Sequence, residues 1–222
     1  MNTYIDAHCH LCDGAVCGAA DASAWVVNAT NESQWHAVID AAEQNPALYP
    51  AIGIHPWDVG TVTPGWDTRM ADILNTHPRL MIGEIGLDRA RGDWDVQNRV
   101  FDRQMDLAAQ FNRPVHLHVV RAWDKIMNYM AQMRHRPPII VMHGFRGNPD
   151  ITRQLMRYDT VYFSFAAMNA AATLVPENRI LVESDGRADT RLGTIVRDIS
   201  AQRDTDMTNI IYNNTLRVIH HG

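Results

Sequence analysis

YIDAHCH (residues 4–10) rises through apolar residues and closes on two histidines. Five later stretches repeat that grammar: AIGIHP (51–56), LMIGEIG (80–86), PVHLH (114–118), IIVMH (139–143) and RILVESD (179–185). Each is rich in aliphatic and β-branched residues, as a strand buried on both faces requires, and each ends on His, Glu or Asp. Two further runs, AWVVNAT (24–30) and TVYFSF (160–165), bring the strand candidates to eight. Helical periodicity fills most of the intervals. Its clearest instance is 94–112, where Asp93 is a candidate N-cap and Val96, Val100, Leu107 and Phe111 fall near one face. Asn148-Pro149 reads as an N-cap followed by proline in the first turn, and 32–45, 66–76, 122–134 and 206–219 are further helix candidates.

Alternating strands and helices predict an α/β fold with a parallel sheet and right-handed crossovers. Eight strands predict closure into a (β/α)8 TIM barrel, with the polar strand endings gathered at its C-terminal mouth. The interval between His10 and Ala24, mostly LCDGAVCGAADAS, is too short for a full crossover helix, so the first helix is expected to be missing or vestigial. AAMNAAATLVPEN (166–178) leaves room only for a short one. No linker or internal repeat divides the 222 residues, so residues 1–222 read as a single domain.

The polar endings are metal-ligand types. His8 and His10 share a strand face about 7 Å apart and can converge on one ion. Glu84, between Gly83 and Gly86, is a carboxylate that burial would penalise unless paired or metal-bound. His118, His143 and Asp185 complete a set of four imidazoles and two carboxylates, enough for two divalent ions of zinc, manganese, iron or magnesium. His116 lies one layer below His118 and reads as a core histidine. Asp6, on the same face as His8 by alternation, is expected to orient an imidazole. His55 reaches the mouth from another strand and is a candidate for binding substrate phosphate.

Cys9-x-x-Cys12 has a zinc or redox spacing, but no second such pair exists, and Cys9 should point outward as a small hydrophobe. The net charge of −5 gives no broad basic surface for sequence-independent nucleic-acid binding. Apolar residues make up 46% of the chain, enough for a large core, and no long apolar segment suggests a membrane span. The expectation is a soluble, cytoplasmic protein without an obligate protein partner.

These residues carry a family resemblance. The chain resembles TatD-type metal-dependent hydrolases in Asp6-Ala7-His8-Cys9-His10-Leu11, Gly53-Ile54-His55-Pro56 and Gly83-Glu84-Ile85-Gly86-Leu87-Asp88. The likeness continues through Gln97, Phe101, Gln104, Pro114-Val115, His118, His143-Gly144-Phe145, Phe163-Ser164-Phe165, Glu183-Ser184-Asp185 and Asn214. It implies a two-metal barrel that hydrolyses DNA or other phosphoesters. His8 and His10 would hold one ion, Glu84 would bridge, and His118 and His143 would hold the second. Asp185 would complete the first site beside the attacking water, and His55 would face substrate. Val120 stands where the family carries an arginine, Gly186 replaces a proline, and Arg146 occupies a small-residue position. DNA ends or small phosphate esters are the expected substrates; hydrolysis of C–N or carboxylic ester bonds, and a metal-binding paralogue of little activity, are the alternatives.

Overall fold

The apolar runs fold as a curled, mixed nine-stranded sheet in the computed structural model, which describes residues 4–133 and 135–221. Its strands are β1 (Tyr4–Cys12), β2 (Ala15–Cys17), β3 (Ala22–Asn28), β4 (Leu48–Ile52), β5 (Met81–Asp88), β6 (Val115–Val120), β7 (Ile140–Met142), β8 (Val161–Phe165) and β9 (Ile180–Val182). From β1 and β3 to β9 the neighbours pair in parallel and in chain order, which gives the eight expected barrel strands. The helices are α1 (Trp35–Gln44), α2 (Trp66–Thr76), α3 (Trp94–Gln110), α4 (Trp123–Gln132), α5 (Pro149–Leu155), α6 (Ala171–Leu174), α7 (Leu192–Arg203) and α8 (Thr208–Ile219).

The first crossover helix is missing, as its short interval demanded. In its place β1 turns back through Asp13-Gly14, both at positive φ (50° and 80°), into the antiparallel strand β2. Left-handed residues at both turn positions match the twist of a two-residue hairpin, and Gly takes one of them without a Cβ penalty. Cys12 and Cys17 form a disulfide within this hairpin, while Cys9 is free and fully buried in the outer core.

Two apolar layers hold the barrel. Inside, Ile5, Ala7, Val26, Ala51, Met81, Val141 and Leu181 fill the base, closed from below by Val218 and Ile219 of α8. Outside, the helices pack their apolar faces on the opposite side of the strands, with Phe101, Leu107, Ile126 and Ile199 among the buried residues. The first and last barrel strands share no ladder among the described residues. Their ends meet instead through the Asp185 N–H, which donates to the His8 carbonyl (3.0 Å), and the Ser184 N–H, which donates to Asp6 Oδ1 (2.9 Å).

Two strands carry an extra residue where the mouth begins. β1 advances three residues from Asp6 to Cys9 while β3 advances two, from Trp25 to Val27. β5 does the same between Ile82 and Ile85 against Val115 and Leu117 of β6. An inserted residue shifts the in–out alternation and re-aims the side chains beside it. Gly83 at the second irregularity has no space for a side chain, because a Cβ there would lie 2.3 Å from Asn28 Oδ1 and 2.8 Å from the His116 Cβ.

Some boundaries differ from the expectation. β4 begins at Leu48 and ends at Ile52, so Gly53, Ile54 and His55 belong to the loop beyond it. Pro50 is tolerated because β5 joins β4 only from Ala51 onward. α3 ends at Gln110, and its buried face runs through Gln97, Val100, Phe101, Gln104, Leu107 and Ala108, leaving Val96 and Phe111 half-buried. Its Asp93 cap is as expected, accepting from the Asp95 and Val96 N–H groups at 3.0 and 3.1 Å. Asn148 caps α5 in the same way, accepting from Ile151 N–H at 2.9 Å.

Candidate metal centre

Glu84 is the centre of the mouth. It is 3% exposed, and ring nitrogens of five histidines surround its carboxylate. His143 Nε2 (2.8 Å), His118 Nδ1 (2.9 Å) and His55 Nε2 (3.2 Å) approach Oε1. His8 Nε2 (3.3 Å) and His10 Nε2 (3.4 Å) approach Oε2. The structure therefore brings four of the six residues read as metal ligands, and His55 with them, around the carboxylate of a fifth. Asp185, the sixth, lies at the open edge in the left-handed conformation (φ 55°), its Oδ1 3.8 Å from His10 Nε2. Three triplets have donor atoms within 4.8 Å of one another: His8, His10 and Glu84; His55, Glu84 and His118; and His8, His143 and Asp185.

The tautomers follow from the partners of the other ring nitrogens. His10 Nδ1 donates to the Asn28 carbonyl (2.9 Å), which leaves a lone pair on Nε2. His143 Nδ1 faces Glu183 Oε1 (3.3 Å), so in the neutral ring Nε2 also presents a lone pair, towards Glu84. Two such nitrogens face a carboxylate only with a proton or a cation between them. A divalent cation satisfies both histidines and Glu84 together, so this donor set, nitrogen mixed with hard oxygen, fits a metal. His55 differs. Its Nδ1 accepts from the Trp57 N–H (3.1 Å), so the neutral ring carries its hydrogen on Nε2 and is a donor there.

The charges agree with this crowding. Burial opposes ionisation of Glu84, but the facing imidazoles, His143 first, hold its carboxyl well below the usual range. Burial lowers His143 as well, yet Glu84 and Glu183 together hold it well above an ordinary histidine. His8, His116 and His118 are pushed down, burial being the largest cause for each. Burial raises Asp185, but His10, His143 and His8 outweigh it and keep the carboxyl low.

His116 is fully buried one layer deeper than His118, as its place on β6 implied. Its Nδ1 lies 3.4 Å from His8 Nδ1. Asp6 departs from the expectation. It orients no imidazole: its carboxylate accepts from the backbone N–H groups of Ala19 (2.8 Å), Ser184 (2.9 Å) and His8 (3.3 Å). The extra residue in β1 turns Asp6 away from the face that carries His8, and burial pushes its carboxyl up to about 6.

Several positioning residues were not singled out for a role from the sequence. Glu183, fully buried, accepts from the Gly144 N–H (2.6 Å) as well as facing His143, so it orients a candidate ligand. Gln104 binds both backbone groups of Ile54, at 2.7 and 3.2 Å, and thereby fixes the loop carrying His55. Gln97 grips the backbone N–H and carbonyl of Asp88 at 2.9 and 3.0 Å. The signal was present: two amides seven residues apart interrupt the apolar face of α3. Asn214 proves to be a brace, donating to the carbonyls of Glu177 (2.7 Å) and Ile180 (2.9 Å).

The arginines that follow the strand endings have other occupations or lie open. Arg89 makes a two-pronged pair with Asp124 (2.9 and 2.8 Å), and Arg91 lies over the Trp57 ring, 4.1 Å from its centre. Arg121 and Arg146 are exposed. No helix among the described residues is long and apolar enough to cross a membrane.

Comparison with known proteins adds an independent line. A family model described as TatD related DNase matches residues 5–218. The chain is 26% identical over 179 residues to the 3'-5' ssDNA/RNA exonuclease TatD of Enterobacter lignolyticus, covering 75% of this chain and 68% of that protein. It is 31% identical over 160 residues to the uncharacterized metal-dependent hydrolase YjjV of Escherichia coli, covering 65% of this chain but only 61% of that relative. The crystal structure of YjjV, a TatD homolog from Escherichia coli K12, aligns over 97% of both chains with a TM-score of 0.82 at 22% identity, and so shares the fold.

Proposed function

This chain belongs to the TatD related DNase family, and from that premise we propose that it is a metal-dependent hydrolase of phosphoester bonds, acting on nucleic-acid ends or small phosphate esters. The observation that supports this reading most directly is the buried Glu84 carboxylate facing imidazole nitrogens, a set that becomes complementary to cations when the rings are neutral. In this proposal His8, His10, Glu84, His118, His143 and Asp185 hold two divalent ions, zinc, manganese or magnesium. Such ions supply Lewis acidity and lower the pKa of a bound water.

The chain's own groups do the rest. Glu84 joins the two halves of the ligand set through its two oxygens. Asp185, anionic and partly open at the mouth, aligns the attacking water and takes its proton on a carboxylate oxygen. His55 donates its Nε2 hydrogen to a non-bridging phosphate oxygen, the role its Trp57-fixed tautomer favours. Glu183 and the Asn28 carbonyl keep His143 and His10 turned correctly. The relatives named as ssDNA/RNA exonucleases support nucleic acid as the substrate class, and the proposed setting is the cytoplasm.

The test is metal analysis of the purified protein together with hydrolysis of phosphodiester, phosphomonoester, carboxylic ester and amide substrates. Metal-dependent phosphodiester cleavage that a chelator abolishes is expected. Cleavage confined to C–N or carboxylic ester bonds, or bound metal with no turnover of any substrate, would overturn the reading.

A further inference from the structure

Trp57 stands at the rim of the mouth with 52% of its surface exposed, and among the described residues only Leu174, at 39%, is another exposed large hydrophobic. Its ring centre lies 5.1 Å from that of His55 and 6.2 Å from that of His118. Solvent-exposed tryptophans are common, and exposure alone carries nothing. This indole, however, is fixed. Its Nε1–H donates to Asp88 Oδ2 at 2.7 Å, and Asp88 is buried and gripped by Gln97. The Arg91 guanidinium lies over the ring at 4.1 Å. A flat aromatic surface is thus held rigid beside the group assigned to substrate phosphate, one sugar's reach from it.

Charge leaves a need for such a surface. The chain carries a net charge of −5, and the arginines just after Asp88, Arg89 and Arg91, are committed to Asp124 and to the indole itself, so few phosphate contacts are available beside His55. Stacking against a preorganised aromatic ring provides affinity without them, and accepts any base because every base has a π-face.

We propose that Trp57, backed by Arg91, is a stacking platform for the terminal base of a single-stranded nucleic acid, so that base-bearing ends are favoured over base-free phosphate esters. The inference rests on the phosphoester reading above and narrows its substrate. Trp57 is here a specificity residue that touches substrate; it takes no part in moving protons or holding metal.

The experiment uses the metal-loaded protein and short single-stranded oligonucleotides that carry or lack the base on a terminal sugar, at one end or the other. Binding is read by fluorescence anisotropy and hydrolysis by product release. The wild-type protein should bind the base-bearing end about tenfold more tightly or better. Trp57→Ala should erase that difference by weakening the base-bearing ligand alone, and Trp57→Phe should restore most of it. Equal binding of both ligands by the wild-type protein, or a preference that survives Trp57→Ala, would overturn the platform. Hydrolysis without base preference would remove the platform and leave the phosphoester reading intact. A Trp57-dependent preference without hydrolysis of any phosphoester would do the reverse.

Discussion

At the base of the barrel Ile5, Ala7, Ala51, Met81, Val141 and Leu181 meet one another and the end of α8. Towards and just beyond the C-terminal ends of the strands, His8, Glu84, His118 and His143 meet instead. The base stabilises by simple removal of apolar surface, roughly 1.5–3 kcal/mol for each large side chain. The mouth gathers lone pairs and charge in a place that burial makes costly, so its groups stay there only while opposite charges, protons or a cation compensate one another. One end holds the barrel by burial alone, and the other holds only as a matched set.

The sharpest attack on this contrast is Glu84→Gln. Loss of a partner beside a metal ligand already lowers activity or affinity 10- to 100-fold, so loss of the central carboxylate should lower hydrolysis by more than about a hundredfold. The metal-free variant should also melt below the metal-free wild type, because Glu84 and the facing imidazoles, His143 first, favour each other's charged forms and the substitution leaves His143 with Glu183 alone. An unchanged melting temperature would show that these charges do not stabilise the fold without metal.

Leu181→Ala addresses the other end. It should destabilise the protein by about 2–5 kcal/mol in denaturant titration, the cost of a core cavity. The kcat/KM of the folded fraction should change by less than about twofold. Joint loss of metal affinity would mean that base and mouth are coupled.

Metal addition should raise stability by about 2.7 kcal/mol at a free concentration one hundred times the dissociation constant. Calorimetry should find that rise intact in Leu181→Ala and missing in Glu84→Gln. A smaller effect is expected of Gln104→Leu, which frees the loop that carries His55: KM should rise by about tenfold while metal content stays the same. An unchanged KM would show that Ile54 and His55 hold their place without the amide.

The residues that meet at the mouth were legible in the sequence because each ends an apolar run, and a parallel barrel brings all such endings to one rim. Asp6 was not, because the two-residue alternation cannot register the extra residue in β1 that turns it from the His8 face. β4 was placed too late, at 51–56, because Gly53-Ile54-His55 continue the apolar run past the last paired residue, and Pro50 within the strand is tolerated before β5 joins. α7 was overlooked although Leu192, Ile195, Val196 and Ile199 have helical spacing; Gly193 and the β-branched run Thr194-Ile195-Val196 obscured it. The Cys12–Cys17 link depended on β2, a strand of three residues too short to leave a periodic signal.

The seam of the barrel has a consequence for the order in which the ribosome makes the protein. The His8 carbonyl finds the Asp185 N–H only after every strand between them has emerged, and Asp6 waits across 178 positions for Ser184. A nascent chain that has not reached Asp185 lacks both the residue that closes the ring of strands and the carboxylate proposed to align the water. The activity proposed for this mouth is therefore withheld until synthesis has passed Asp185, and a transcript broken upstream of that codon yields no fragment with the whole mouth.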